Sequence, residues 1–248
     1  MKKLFLFILP LMAITFSSCS KDDNKDEPNG TIKLVKRIVE SSYALESTST
    51  FEYDNQNRLI KYIWDEDGMQ GLSGESYTTT TIVYENNKMI CTHTGKYGSN
   101  IETFYFNDAG YLTKTEYETS DRVDIETYTY NNGYLSRIDY GYGYFDTFTW
   151  QNGNITKIVS DEGTVETYEY TDIPNKFNTN LSCLFGFFGD VYWSVMKGAY
   201  SKNLPASRKS STKGFTDTYT YTLDADGYPT KILRADGDSE YEMTITYY

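Results

Sequence analysis

Few residues in this chain can do covalent chemistry. There is one histidine, His93, two positions from Cys91. On a strand that pair supplies at most two metal ligands, fewer than a zinc site needs, so His93 reads as a surface strand residue. No glycine-rich phosphate loop is present, and Gly71-Leu72-Ser73-Gly74 does not fit a nucleophile elbow. With 35 acidic residues a carboxylate pair for glycoside hydrolysis can be assembled in many ways, and no spacing singles one out. Asp65-Glu66-Asp67-Gly68 and Asp224-Ala225-Asp226-Gly227 open like calcium loops but lack the downstream bidentate glutamate, so both read as turns. The expectation is a protein without catalysis, cofactor or metal. What remains is aromatic. Tyr140, Tyr142 and Tyr144 share a glycine-loosened Y-G-Y-G-Y turn near Trp150, and Trp193 stands apart. Ring faces suit sugar rings and peptide side chains, so these five are the candidate ligand-binding residues for a glycan or a peptide.

The elements that must position them are strands. The chain has 248 residues, 17% of them aromatic, with 25 Tyr and 13 Phe. Such residues fit a pleated, half-buried surface. Its net charge of −12 repels nucleic acid and anionic head groups, which argues against a nucleic-acid partner.

The amino terminus reads as a leader. Lys2 and Lys3 precede an apolar run from Leu4 to Phe16, then Ser17 and Ser18 before Cys19. The run is shorter than the ~20 residues of a spanning helix and has the size of a signal-peptide core. Small residues directly before a cysteine resemble a bacterial lipoprotein signal, which implies lipidation at Cys19 and an outer-membrane partner through that lipid. Residues 20–30 are charged and lack apolar residues, as in a disordered tether. Lys21-Asp22-Asp23 also resembles the surface-export signal of Bacteroidota lipoproteins, and implies display at the cell surface over periplasmic residence. The expected organisation is a signal peptide at 1–18, an acylated cysteine and tether at 19–30, and one β domain at 31–248.

That domain repeats one hairpin. Seven first limbs end in large residues two apart, among them Phe51-Glu52-Tyr53, Tyr128-Thr129-Tyr130 and Tyr219-Thr220-Tyr221, the period of a strand with one buried face. Turns such as Asn132-Gly133 and Asn152-Gly153 follow at once. Reversals about every ten residues predict an all-β, up-and-down antiparallel meander of roughly 14–16 short strands, closing into a barrel or a strongly curved sheet. In the second limbs Leu59, Leu112, Leu135 and Ile155 lie three positions before Tyr62, Thr115, Ile138 and Ile158. That odd offset predicts a bulge just after the turn. Between them sit Lys61, Lys114, Arg137 and Lys157, with Lys231 in the last unit. In register they form a row, paired to neighbouring acids and threonines or, alternatively, open to anions.

Phe51–Leu59, Phe106–Lys114 and Leu223–Lys231 resemble tyrosine-aspartate repeats of the RHS type. With the leader, the mature chain is similar to a family of Bacteroidota lipoproteins that is a domain of unknown function with a porin-like fold. The resemblance implies the architecture and brings no catalytic residues.

The period fails at residues 178–204, where Leu181, Leu184, Phe185, Phe188, Tyr192, Val195 and Ala199 follow helical spacing. This predicts a helical insertion, kinked at its glycines, serving as a plug or lining an aromatic pocket beside Trp193. A Ser/Lys/Arg loop is expected after Pro205, with strands resuming at Phe215. Limbs of six to eight residues are short for membrane strands of ~9–11, so a tethered barrel is expected rather than a pore. The functional expectation is a lipid-anchored, non-catalytic protein binding an extracellular glycan or peptide. The alternatives are a structural envelope protein, or a hydrolase with a carboxylate pair in the barrel mouth.

Overall fold

The computed structural model of the chain describes residues 32–42, 45–67, 76–96, 98–119, 121–176, 197–212, 214, 216–237 and 239–248. The alternating limbs form β1 (Val35–Ser42), β2 (Leu45–Tyr53), β3 (Leu59–Asp67), β4 (Ser76–Glu85), β5 (Lys88–Gly95), β6 (Gly98–Phe106), β7 (Leu112–Glu118) and β8 (Val123–Asn131). They continue as β9 (Tyr134–Gly141), β10 (Tyr144–Gln151), β11 (Asn154–Ser160), β12 (Val165–Pro174), β13 (Asn203–Ser210), β14 (Thr216–Leu223), β15 (Pro229–Asp236) and β16 (Ser239–Tyr247). Each pairs antiparallel with the next, and β1 pairs with β16, so the meander closes into a barrel without a free edge. Strands run from seven to ten residues. They exceed the expected length because pairing continues past the aromatic stretch into polar residues such as Asn100 and Asp124.

The bulges lie where the odd offset places them. Tyr130 faces Leu135 and Thr129 faces Arg137, leaving Ser136 unopposed. Leu135 and Ile138 thereby both turn inward, 0% and 1% exposed. Ile60, Thr113, Thr156, Ala206 and Thr230 are bulged in the same way. Where the bulged residue carries a hydroxyl, it donates to a first-limb carbonyl: Ser136 to Thr129 O, Thr113 to Tyr105 O and Thr230 to Thr222 O. The hydroxyl thus supplies a partner where the ladder is interrupted. The β4–β5 hairpin has no shift, and its buried Met89 and Cys91 keep regular two-residue spacing.

Among the described residues there are eight units, not seven. β16 and β1 reproduce a hairpin whose turn is missing: Tyr247 faces Val35, Thr246 faces Arg37, and Lys36 is bulged between them. Thr246 Oγ1 donates to Arg37 O at 3.3 Å. The two ends of the barrel chain meet where the other units turn.

Successive hairpins are offset by a constant step. Ile138 faces Tyr128 in its own hairpin and Asp146 in the next; Thr115 faces Phe104 and Glu126; Ile158 faces Phe148 and Glu166. Each step moves two residues along the strands, which tilts them about the barrel axis. The inner face holds one apolar cluster drawn from nearly every strand, including Phe51, Met89, Leu112, Leu135, Leu204 and Met243. The outer face carries threonines and charges, with Val83, Ile101, Val123, Ile125 and Leu233 exposed among them. The predicted cation row is there, with Lys61 on Glu52, Lys114 on Glu116, Arg137 on Asp139 and Lys231 on Glu242 at 2.7–2.9 Å, while Lys157 lies between Thr149 and Thr167. Four of the five predicted cations are taken by carboxylates, which leaves the row little capacity for outside anions. Each exposed pair contributes about 0–1 kcal/mol.

The interruption differs from its helical expectation where it is described. Among the described residues there is no helix; residues 178–196 lie outside them. Lys197–Lys202 is a turn and extended strap, and Asn203–Ser210, expected as chain leading into a loop, is strand β13. Pro205 hid this strand, yet it sits at the bulge facing Tyr170, where no ladder amide is required. Cys91 is a buried free thiol raised by burial and by Glu102; Cys183 lies outside the described residues.

Candidate functional site

The two barrel ends are finished differently. At the end carrying the Asn-Gly turns, the bulges expose backbone groups at the residue just before the bulged one. Aromatic residues of the next unit take the carbonyls: Trp150 Nε1 donates to Leu135 O, Tyr170 to Ile155 O, Tyr221 to Pro205 O and Tyr247 to Pro229 O, all at 2.6 Å. The strap takes the amides. Leu135 N donates to Gly198 O at 2.8 Å and Ile155 N to Ser201 Oγ at 3.0 Å. Gly198 has φ +76, and a Cβ there would lie 2.2 Å from Gly133 O. Only glycine allows this approach.

At the opposite end, here the rim, the inner face turns acidic. Five first limbs read acid-Thr-aromatic: Glu102-Thr103-Phe104, Glu126-Thr127-Tyr128, Asp146-Thr147-Phe148, Glu166-Thr167-Tyr168 and Asp217-Thr218-Tyr219. Strand alternation sends the acid and the ring inward and the threonine outward. Tyr128 and Tyr168 donate to Glu126 and Glu166 at 2.6 Å, and Tyr140 to Asp146 at 2.9 Å. Burial raises the Asp146 carboxyl, with Glu166 and Asp161 adding to the shift and the Tyr140 hydrogen bond opposing it. Burial pushes Glu40, on β1, up to about 7. Asp217 is the exception among these acids. It is 2% exposed and bridges Arg208 at 2.6 Å and Arg234 at 3.2 Å, tying β13, β14 and β15 together. This acid ring was not read from the sequence, although its signal, an acid two positions before an inward aromatic, repeats five times. The abundance of acids concealed it.

His93 is not a surface residue as expected. Strand pairing turns it inward beside Thr80, whose hydroxyl lies 2.9 Å from Nδ1, with Glu102 at 3.5 Å from Nε2. No group of three metal-ligating side chains occurs among the described residues.

The candidate aromatic residues are separated. Tyr140, Tyr142 and Tyr144 cluster at the rim in the β9–β10 hairpin, Tyr140 half-buried and the others exposed at 86% and 53%. Tyr142 occupies φ +55 beside Gly143 at φ +92, the left-handed pair of a two-residue hairpin turn. The corresponding residue elsewhere is Asn132 or Asn152. A bulky side chain is disfavoured there, so the turn holds a tyrosine outward at a backbone cost of about 1 kcal/mol. Trp150 is six residues along β10, roughly 20 Å away. It stacks on Tyr134 with ring centroids 4.8 Å apart and bonds Leu135 O, so its position is explained by the architecture. Trp193 and Cys19 lie outside the described residues. Chemically the rim offers carboxylates, tyrosine hydroxyls and two exposed rings.

Residues 46–231 match a family described as a domain of unknown function (DUF4595) with porin-like fold. The fold is similar to a porin-like protein from Bacteroides uniformis, at 20% identity and TM-score 0.67 over 86% of this chain and 98% of that one. It is also similar to a porin-like protein from Bacteroides vulgatus, at 13% identity and TM-score 0.58 over the same shares. No curated protein matches.

Proposed function

We propose, from the premise that the chain belongs to the domain-of-unknown-function family with a porin-like fold, that it is a lipid-anchored envelope protein whose rim binds an extracellular ligand. The observation that carries this is Tyr142, 86% exposed in a backbone conformation that costs stability. Strain of this kind at an exposed aromatic is better explained by a ligand than by packing. The outer face supports a tethered barrel over a pore. Lys114, Glu116, Arg137, Lys157 and Lys231 stand outward on the strands, and such charges are costly on a lipid-facing surface. Anchoring would come from Cys19, after the leader of the Bacteroidota lipoprotein type. The chain enters β1 at the strap end, which leaves the rim at the far end of the barrel from that entry.

The test has two parts. Cys19→Ala should abolish metabolic labelling by fatty acid and release the protein from membranes. A glycan and peptide array probed with the protein should give signal that Tyr142→Gly removes. Absence of binding above background would sink the ligand reading. It would favour a structural envelope protein, a reading supported by the apolar side chains that fill the inner face toward the strap end.

A further inference from the structure

Several aromatic faces of this protein carry a cation. Lys33 and Lys176 lie over Tyr228, Arg58 over Tyr84, Lys88 and Lys114 over Tyr105, Lys197 over Tyr111 and Arg234 over Tyr241. Among the described residues no cation lies over Tyr142 or Tyr144, the rings of the rim hairpin. Of the nearby cations, Lys157 lies between Thr149 and Thr167 on the outer face, and two arginines are committed to acids. Arg137 bonds Asp139 at 2.9 Å and stacks on Phe145 at 3.6 Å, and Arg122 bonds Asp124 at 2.7 Å. The acids around that hairpin outnumber them. Asp161 on the next turn accepts from Phe145 N at 3.3 Å, Glu162 follows it, and Asp146 lies inward between Glu126 and Glu166 on the neighbouring first limbs. Tyrosine hydroxyls donate to Glu126, Asp146 and Glu166, and Glu166 also acts on the Arg208 charge. A hydroxyl donates one proton and leaves the charge of the carboxylate in place.

We propose that the ligand of the rim is a cationic peptide, with lysine or arginine side chains seated on the Tyr142 and Tyr144 faces beside Asp146, Asp161 and Glu162. The charge of the site selects against acidic polymers, and the open rings select for a cation over a neutral residue. The inference rests on the rim reading above and narrows it to one ligand class. A neutral sugar would use the same rings but would gain nothing from the acids beneath them.

The test uses the full chain in neutral detergent and fluorescence anisotropy with four labelled probes: an oligolysine peptide, a neutral peptide, an oligoglutamate peptide and a neutral oligosaccharide. Oligolysine should bind best, and salt should weaken it. Tyr142→Gly should weaken it about tenfold or more, because the ring is lost while the turn geometry improves. Tyr142→Phe should retain most of the affinity. Oligolysine binding that Tyr142→Gly leaves unchanged would overturn the proposal, since it would reflect only the chain's net charge of −12. If instead the oligosaccharide binds and Tyr142→Gly removes it, the rim is the site and the cationic class is wrong. If no probe depends on Tyr142, both readings fall.

Discussion

At the strap end, the Leu135 and Ile155 amides and carbonyls freed by the bulges each find a partner in the strap, in Trp150 or in Tyr170. At the rim, the same repeat places Glu126, Asp146 and Glu166 inward, each accepting from a tyrosine hydroxyl. The difference shows how one hairpin unit can serve two purposes. In its turn-proximal half the next unit completes the hydrogen bonds of its neighbour at Leu135, Ile155, Pro205 and Pro229. Its far half is tied by side-chain bonds that differ from unit to unit, such as Thr80 with His93, Thr115 with Tyr128 and Tyr140 with Asp146. In units six and seven the inward second-limb position changes from Ile138 and Ile158 to Arg208 and Arg234, with Asp217 between them. The rim is therefore locked on that side and open around the β9–β10 hairpin.

The largest effect should come from breaking that lock. Asp217→Ala leaves two buried guanidinium groups without their shared carboxylate and should cost about 3–5 kcal/mol in denaturant unfolding. A cost near zero would mean the rim is not tied on this side. Next, Gly198→Ala forces a Cβ against Gly133 O and puts alanine at a positive φ. Displacing the strap should cost about 2–3 kcal/mol, and an unchanged midpoint would remove the strap from the account of stability. The smallest is Glu40→Gln. Its folded carboxyl is raised from 4.5 to about 7, so its contribution to stability is present below pH 4.5 and lost as pH rises through 7. The variant should exceed the wild type by about 1–2 kcal/mol above pH 7 and lose that advantage near pH 4.5. An advantage independent of pH would show that burial of the charge is not the cause.

Much of the fold was legible because the repeat is redundant. The three-residue offset of Leu135 and Ile138 is incompatible with a regular strand, so the bulge followed from the pattern itself. The split eighth unit was missed because its limbs lie at opposite ends of the sequence and no turn marks it. Strand β13 was missed because Pro205 and the run Ser207-Arg208-Lys209-Ser210 read as loop, whereas Arg208 is inward and neutralised by a residue nine positions away. Helical spacing extended through Ala199, yet hydrogen bonds to the Gly133 and Gly153 turns hold the strap extended. At the site, Tyr142 could be named from sequence because its glycines stand beside it. Trp150 was grouped with it by proximity in sequence, which a strand converts into distance.

The claim that Tyr142 is kept for something other than the fold is tested most directly by the denaturant midpoint of Tyr142→Gly. Glycine adopts φ +55 without strain, so the account predicts a midpoint at or above that of the wild type. A clearly lower midpoint would show that the ring stabilises the barrel, and would return the rim tyrosines to architecture.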